Sequence, residues 1–334
     1  MAAKVVCRLG FDFTPAEKML TEAGAQLVRA PLWSEEDIIK YAADADAVIV
    51  GATDAYTKRV IQTLKKCKII SRMGIGFNNI DVEEATRQGI PVTVVLDASV
   101  HEVSDHAMAF LLGFSRKIFP LAQAVRKGAW KAGSNEIIKT RGRVFRLNQQ
   151  TLGVVGVGRI GSCIAPKARA FGMRVLGYDP YLSALELQRR GAEKVEFDQL
   201  LRESDFISIH APLTSETQKM FGLKEFRKMK ATAVIINTAR GPLIDEQGLY
   251  QALLEGAIAG AGLDVSDPEP PGPNNPLFQL EQVMFTGHSA FFSESSMLEL
   301  QQKATEAVIG ALRGDWPPVL LNPEVKGQEN RRIR

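Results

Sequence analysis

Three side chains in the C-terminal half of the sequence could together move a proton and hold an anion. Arg240 lies in IINTARGPLID, Glu269 in AGLDVSDPEP and His288 in VMFTGHSA. Each stretch opens with a short apolar run, so each residue falls just beyond the C-terminal end of an expected strand. In a doubly wound sheet those ends gather around one crevice. Imidazole titrates near the working pH and can give and recover a proton. A carboxylate beside it would favour the imidazolium form and fix the ring. A guanidinium matches a carboxylate with two parallel hydrogen bonds and polarises a carbonyl. The set suits reduction of a 2-keto acid, with hydride added to carbon and a proton to oxygen. Taken singly, the three are a structural histidine, a surface ion-pair arginine and a loop carboxylate; only their joint occurrence has chemical meaning.

The hydride donor is suggested by TLGVVGVGRIG, which places Gly156, Gly158 and Gly161 in a G-x-G-x-x-G pattern. The pattern alone is weak. Here it follows an apolar strand, Arg159 and Ile160 open a helical segment, and a second strand ends at Asp179, about 20 residues on. In this context Gly156 permits the tight turn, Gly158 the approach of a pyrophosphate, and Gly161 helix–strand contact. The phosphates would sit on the helix N-terminus. Asp179 would accept from the ribose hydroxyls and repel a 2′-phosphate, and Pro180-Tyr181 follow it rather than arginine, so the cofactor is read as NAD. Pro166 lies inside the helical segment and is expected to kink or shorten it.

The other histidines carry less. HEVSDH superficially matches a zinc motif, but His101 and His106 are five residues apart rather than four and do not share a helix face, so no metal site is expected. His210, in ISIHAPLT, ends a strand; it either lines the adenosine pocket or is structural.

The elements that must position these residues alternate between short strands and helices. The first half reads as strands at 4–8, 26–28, 47–50, 68–72 and 91–95, with helices at 14–25, 34–45, 58–66 and 82–88 between them. Thr14-Pro15 with Glu17 is read as a capped helix start. Ser99 and Glu102 form a second capping box, opening a helix whose apolar stripe runs Val103, Ala107, Phe110, Leu111, Phe114, Ile118. A new series of strands follows at 151–155, 174–178, 206–209, 233–237, 259–264 and 283–286, and a last amphipathic helix spans 293–313. Such alternation implies mostly parallel sheets with helices on both faces. The loop DPEPPGPNNP, residues 267–276, should be rigid.

At 334 residues two domains are expected. A net charge of +3 gives no case for nucleic acid, and the basic tail KGQENRRIR is expected to be a solvated end. Three cysteines without CxxC spacing argue against a disulfide framework or zinc. The N-terminus turns polar too soon for a signal peptide, and no apolar run reaches the roughly 18 residues needed to span a bilayer. A cytoplasmic location is expected.

With these stretches assembled, the sequence resembles the D-isomer-specific 2-hydroxyacid dehydrogenases. SRMGIGFNNID, VVGVGRIG, HAPLTSET, NTARGPLIDE, GLDVSDPEP and GHSA carry the likeness in order, over nearly the whole chain. GYDPYLS and the stretch after His288 are most similar to the subgroup of C-terminal-binding corepressors and their bacterial relatives. The resemblance implies a discontinuous, flavodoxin-like substrate domain (1–98 and 293–334) and an inserted Rossmann NAD domain (99–292), usually in a homodimer built around the helix after residue 99. It implies Arg240 as substrate ligand, Glu269 as support for His288, and His288 as acid/base. Asp264 would hold the nicotinamide carboxamide; Thr238, Ala239, His210, Pro212 and Thr217 would line the cofactor; the amides of Ile75 and Gly76 would receive the substrate carboxylate. Thr286-Gly287-His288 stands where the family usually has Thr-Pro-His. A small 2-keto or 2-hydroxy acid is the expected substrate, and an NADH-sensing interaction protein with little turnover is the rival reading.

Overall fold

The computed structural model describes residues 2–10 and 12–333, and the chain divides into two compact units: Met1–Ser99 with Ser293–Arg334, and Val100–Phe292.

The first unit is built on β1 (Ala3–Arg8), β2 (Ala25–Ala30), β3 (Ala47–Val50), β4 (Ile70–Arg72) and β5 (Val92–Val94), all parallel in the order β2-β1-β3-β4-β5. This is the flavodoxin-like order. Helices α1 (Thr14–Glu22), α2 (Glu35–Ala42), α3 (Lys58–Ile61) and α4 (Val82–Arg87) form the crossovers. The strands read as apolar runs because they are covered on both faces: Val6, Val48, Val50, Ile70 and Val92 share one core with Ile38 and Ile61. Ser34 caps α2, with Asp37 reaching back to its N–H. At α1 the expected cap is displaced by one residue. Phe13 is the N-cap and Thr14 is already helical; its N–H and hydroxyl both donate to Asp12, and Glu17 pairs with Arg29 instead.

The second unit begins with α5 (Val100–Ser115), followed by α6 (Ile118–Arg126) and α7 (Glu136–Arg141). The expected stripe through Ile118 is broken. Lys117 takes a left-handed conformation at φ 55°, and Pro120, lacking an N–H, cannot continue α5. Beyond lie β6 (Thr151–Val155), α8 (Arg159–Ala170), β7 (Arg174–Tyr178), α9 (Ala184–Arg189), β8 (Glu193–Lys194), α10 (Phe197–Glu203), β9 (Phe206–Ile209), α11 (Leu223–Phe226), β10 (Val234–Asn237), α12 (Glu246–Leu254), β11 (Gly260–Leu263) and β12 (Val283–Phe285). The sheet is parallel throughout, in the order β12-β11-β10-β9-β6-β7-β8. Crossovers run in opposite directions from the β6/β9 pair, which makes it the switch point. Pro166 does not shorten α8, which runs four residues past it.

The last helix, α13 (Glu294–Arg313), belongs to the first unit. Ser293 and Ser296 exchange side-chain-to-backbone hydrogen bonds at its start, and Gly314 ends it at φ 102°. The basic tail is not a free end. The Arg332 N–H donates to the Gly89 carbonyl, Asn330 Nδ2 to Arg87 O, and Ile333 is buried. The apolar Ile333 and these backbone acceptors outweigh the pull of the charges toward water.

Candidate active site

β6 delivers the glycine-rich turn to the switch point. Gly156 sits at φ 84°, a region that favours glycine. A Cβ there would also come within 2.6 Å of the Ala211 nitrogen, so the turn lies directly against the end of β9. Gly161, in the first turn of α8, is equally confined, 2.1 Å from the Gly156 carbonyl oxygen in the same sense. Gly158, the N-cap, differs: its Cβ would meet no protein atom within 4 Å. Packing does not require glycine there, whereas a pyrophosphate approaching the N–H groups that Arg159 and Ile160 present does. Asp179, just past β7, accepts from the N–H groups of Val157 at 3.0 Å and Tyr181 at 3.1 Å, so it also braces the turn.

Past β9, the His210 N–H donates to the Val155 carbonyl at 2.7 Å, and its Nε2 lies 2.9 Å from Ser208 Oγ. Burial pushes the imidazole down to about 3, so it is neutral at ordinary pH. Its Nδ1 is buried with no hydrogen-bond partner among the described residues, as is Thr238 Oγ1 past β10. Two buried orphan polar atoms at the ends of central strands call for a partner. A dinucleotide along the switch point, with its ribose hydroxyls and amide, would provide one, and the residues present fit NAD. Thr217 Oγ1 donates to the Pro212 carbonyl at 2.6 Å, closing the loop beside them.

Arg240, Glu269 and His288 all belong to this second unit. Asn237, ending β10, spans the turn to Arg240: its Nδ2 donates to the Arg240 carbonyl at 2.8 Å and its Oδ1 accepts from Ala239 N–H at 3.0 Å. Burial pushes the Arg240 guanidinium down, and the charge of Glu269 opposes that shift. The close approach of the two loops depends on Gly241, where a Cβ would fall 1.9 Å from the Ser266 carbonyl oxygen. Glu269 Oε1 meets Nδ1 of His288. Nε2 has no hydrogen-bond partner among the described residues.

His288 is held in a left-handed conformation at φ 55°, and Gly287 before it at φ 60°, an angle closed to proline. A non-glycine residue at such an angle needs its surroundings to impose it. Asp264, just past β11, does so. Its carbonyl accepts the His288 N–H at 2.5 Å, Oδ1 accepts the Ser289 N–H at 2.8 Å, and Oδ2 accepts the Ala290 N–H at 2.9 Å. The Thr286 hydroxyl adds a fourth bond at 2.5 Å to Oδ1. The aspartate expected to touch the carboxamide is therefore also the anchor of the histidine loop, with one acceptor position left on Oδ2.

Ile75 and Gly76 follow β4 in the first unit. Beneath them the buried Arg72 packs against Gly74, and Asn79 Nδ2 ties the loop to the carbonyls of Gly51 at 3.0 Å and Asp54 at 2.8 Å. His101 and His106, set aside on motif spacing, go to different places on α5. His101 Nδ1 lies 3.3 Å from Cys163 Sγ, whereas His106 Nε2 lies 2.9 Å from Thr286 Oγ1. Neither pattern is visible in the sequence.

Comparison with known proteins bears on all of this. The family model for the D-isomer specific 2-hydroxyacid dehydrogenase NAD-binding domain matches residues 108–290. A glyoxylate reductase from Korarchaeum cryptofilum is 39% identical over 300 residues, covering 88% of this chain and 90% of that protein. A D-3-phosphoglycerate dehydrogenase from Methanocaldococcus jannaschii is 37% identical over 92% of this chain, which spans only 57% of that longer protein. Among solved structures, D-lactate dehydrogenase from Aquifex aeolicus, complexed with NAD and lactic acid, aligns over 93% of this chain and 96% of its own, with TM-score 0.81 and 29% identity. These relatives give the corepressor-like rival no support. The chain belongs to the D-isomer specific 2-hydroxyacid dehydrogenases, NAD-dependent oxidoreductases of 2-hydroxy acids.

Proposed function

We propose that the chain interconverts a small 2-keto acid and its D-2-hydroxy acid, with His288 as the proton donor and acceptor. The observation that carries this is the contact of Glu269 with Nδ1 of His288, made beside Arg240 in the unit that holds the glycine-rich turn. NADH, when bound, supplies the hydride. Arg240 holds the substrate carboxylate or carbonyl and draws electron density toward the carbonyl oxygen. His288 gives that oxygen a proton from Nε2, and Glu269 keeps Nδ1 protonated, so that the ring always presents Nε2. In the oxidative direction the same nitrogen takes the hydroxyl proton. Asp179 favours NAD over its 2′-phosphorylated form by charge.

Two features beyond the site belong to the same proposal. The first unit serves as the substrate domain, with the Ile75-Gly76 loop supplying amide donors. The active species is a homodimer formed through the helix after residue 99 and its neighbours, among them α6 and α7, neither of which buries a residue of its own. Three unpaired cysteines fit a reducing cytoplasm, and no helix among the described residues is long and apolar enough to cross a membrane.

The test is NADH oxidation with a panel of 2-keto acids, glyoxylate and pyruvate first, repeated with NADPH. Turnover on at least one acid, faster with NADH, is expected. Tight NADH binding with no turnover on any acid would reject the reading.

A further inference from the structure

We infer that His106, a residue of α5 far from the catalytic set in sequence, is a positioning residue that acts on His288 through Thr286 and Asp264. The inference rests on the reading of His288 as the proton donor. It starts from a packing detail. A Cβ on Gly262 in β11 would lie 2.8 Å from the Phe110 ring, so only glycine lets α5 sit this close to the strand that ends at Asp264. One turn before Phe110, His106 rests edge-on against that ring, 4.9 Å between centroids. Its Nε2 is then 2.9 Å from Thr286 Oγ1 and 3.9 Å from Asp264 Oδ1.

The proton order in this chain follows from the hydrogen-bonding capacity of each group. Asp264 is 2% exposed and accepts three hydrogen bonds with its carboxylate, two of them from backbone N–H groups. An ionised carboxylate has no proton to offer, so the 2.5 Å contact with Thr286 takes the threonine hydroxyl proton. Thr286 Oγ1 can then only accept from His106, which must carry its proton on Nε2. His106 thereby orients the hydroxyl, the hydroxyl satisfies Asp264, and Asp264 holds the N–H groups of Ser289 and Ala290 on its carboxylate and that of His288 on its carbonyl. With glycine at 287 in place of proline, the stiffness of the loop has to come from these bonds. Asp264 is the carboxylate beside His106, Glu269 the one beside His288, and the charge of Arg240 acts on Glu269.

The experiment uses the full-length, NADH-bound protein labelled with ¹⁵N-histidine. Four histidines give a readable spectrum, assigned by single substitutions. His106 is expected to show the Nε2-protonated pattern, lost in Thr286→Val and kept in Thr286→Ser. His106→Leu should move the His288 ring signals, and His106→Gln, which still offers an N–H, should return them. Turnover with glyoxylate should fall about tenfold in His106→Leu and recover in His106→Gln, since small misplacement of a reacting group is costly, with NADH affinity and melting temperature held within a narrow range. His288 signals unmoved by His106→Leu, or equal impairment of the two variants, would overturn the inference. The spectra need no turnover. A wild-type protein inactive on every keto acid would therefore sink the functional reading, while the spectra still decide whether His106 reaches His288.

Discussion

Glu269 touches His288 through Nδ1, so one carboxylate sets which nitrogen of the imidazole is left to face away from it. Replacing Glu269 with glutamine keeps an oxygen at the acceptor position and removes the charge. Turnover should fall roughly 10- to 100-fold, and His288→Ala should lower it by at least about 100-fold, the low end for a general acid/base. The double variant should be no worse than His288→Ala alone, because the carboxylate has nothing left to orient. Steady-state kinetics of the three variants decide the matter; losses that multiply would mean the two residues act separately.

Gly241 sets how closely the two loops of this arrangement approach. Its absent Cβ is what lets the Arg240 loop pass the Ser266 carbonyl on the way to Glu269. Gly241→Ala should push the two loops apart by about an ångström or more, since the Cβ would start 1.9 Å from the Ser266 carbonyl oxygen. A displacement of that size costs on the order of 100-fold in turnover, while NADH affinity, measured by fluorescence titration, should hold within about threefold. An alanine variant with wild-type turnover would show that the guanidinium and the carboxylate work independently.

The contrast between Gly161 and Gly241 indicates what a sequence can disclose. Gly161 is legible because its partner, Gly156, lies five residues away in a motif whose spacing is fixed by one turn and one helix. Gly241 is pressed against Ser266 and Asp267 across two loops, and nothing in GPLID announces that. The strands were legible for a similar reason: parallel strands covered on both faces read as apolar runs. Local spacing offers His106 nothing but a failed zinc motif, because its partner, Thr286, is 180 residues away. The tail keeps Lys326, Glu329 and Arg331 exposed as expected, but Ile333 is buried on the first unit at a site formed by distant chain, which the sequence does not disclose. Lys117 ended α5 early through a left-handed backbone angle that lysine rarely adopts, so residue type gave no warning.

His210 makes a prediction about acid stability. Its imidazole is pushed down to about 3 by burial, against roughly 6.5 in an unfolded chain. Between those values the unfolded chain binds a proton that the folded one does not. The contribution is therefore intact above pH 6.5 and stability declines as pH falls below it, by at most about 1.4 kcal/mol per pH unit. His210→Gln cannot titrate. Its stability deficit relative to wild type should shrink by about 1 to 2 kcal/mol between pH 7 and pH 5 in urea unfolding. Parallel pH dependences of the two proteins would mean that the ring is solvated and charged in the fold.

The α6–α7 segment gives the last prediction. Ile118, Phe119, Val125, Trp130, Ile138 and Phe145 are all exposed, Trp130 at 81%, in a stretch where neither helix buries a side chain. Residues 116–146 carry nine lysines and arginines and one glutamate, a net +8, which leaves −5 on the rest of a chain whose total is +3. None of the nine takes part in an ion pair among the described residues. Apolar side chains interleaved with uncompensated cations are costly to leave in water and lack the uniform polarity of a solvated face. A second copy would supply an apolar cover, and its net −5 outside this segment would offset the repulsion between the two basic segments. Sedimentation equilibrium at micromolar concentration should give a dimer, and Phe119→Glu with Trp130→Glu should give a monomer that keeps NADH affinity, because the glycine-rich turn lies outside the segment. A charge-driven component should appear as weaker association in high salt. A wild-type protein that sediments as a monomer would remove the second copy as the occupant of this surface.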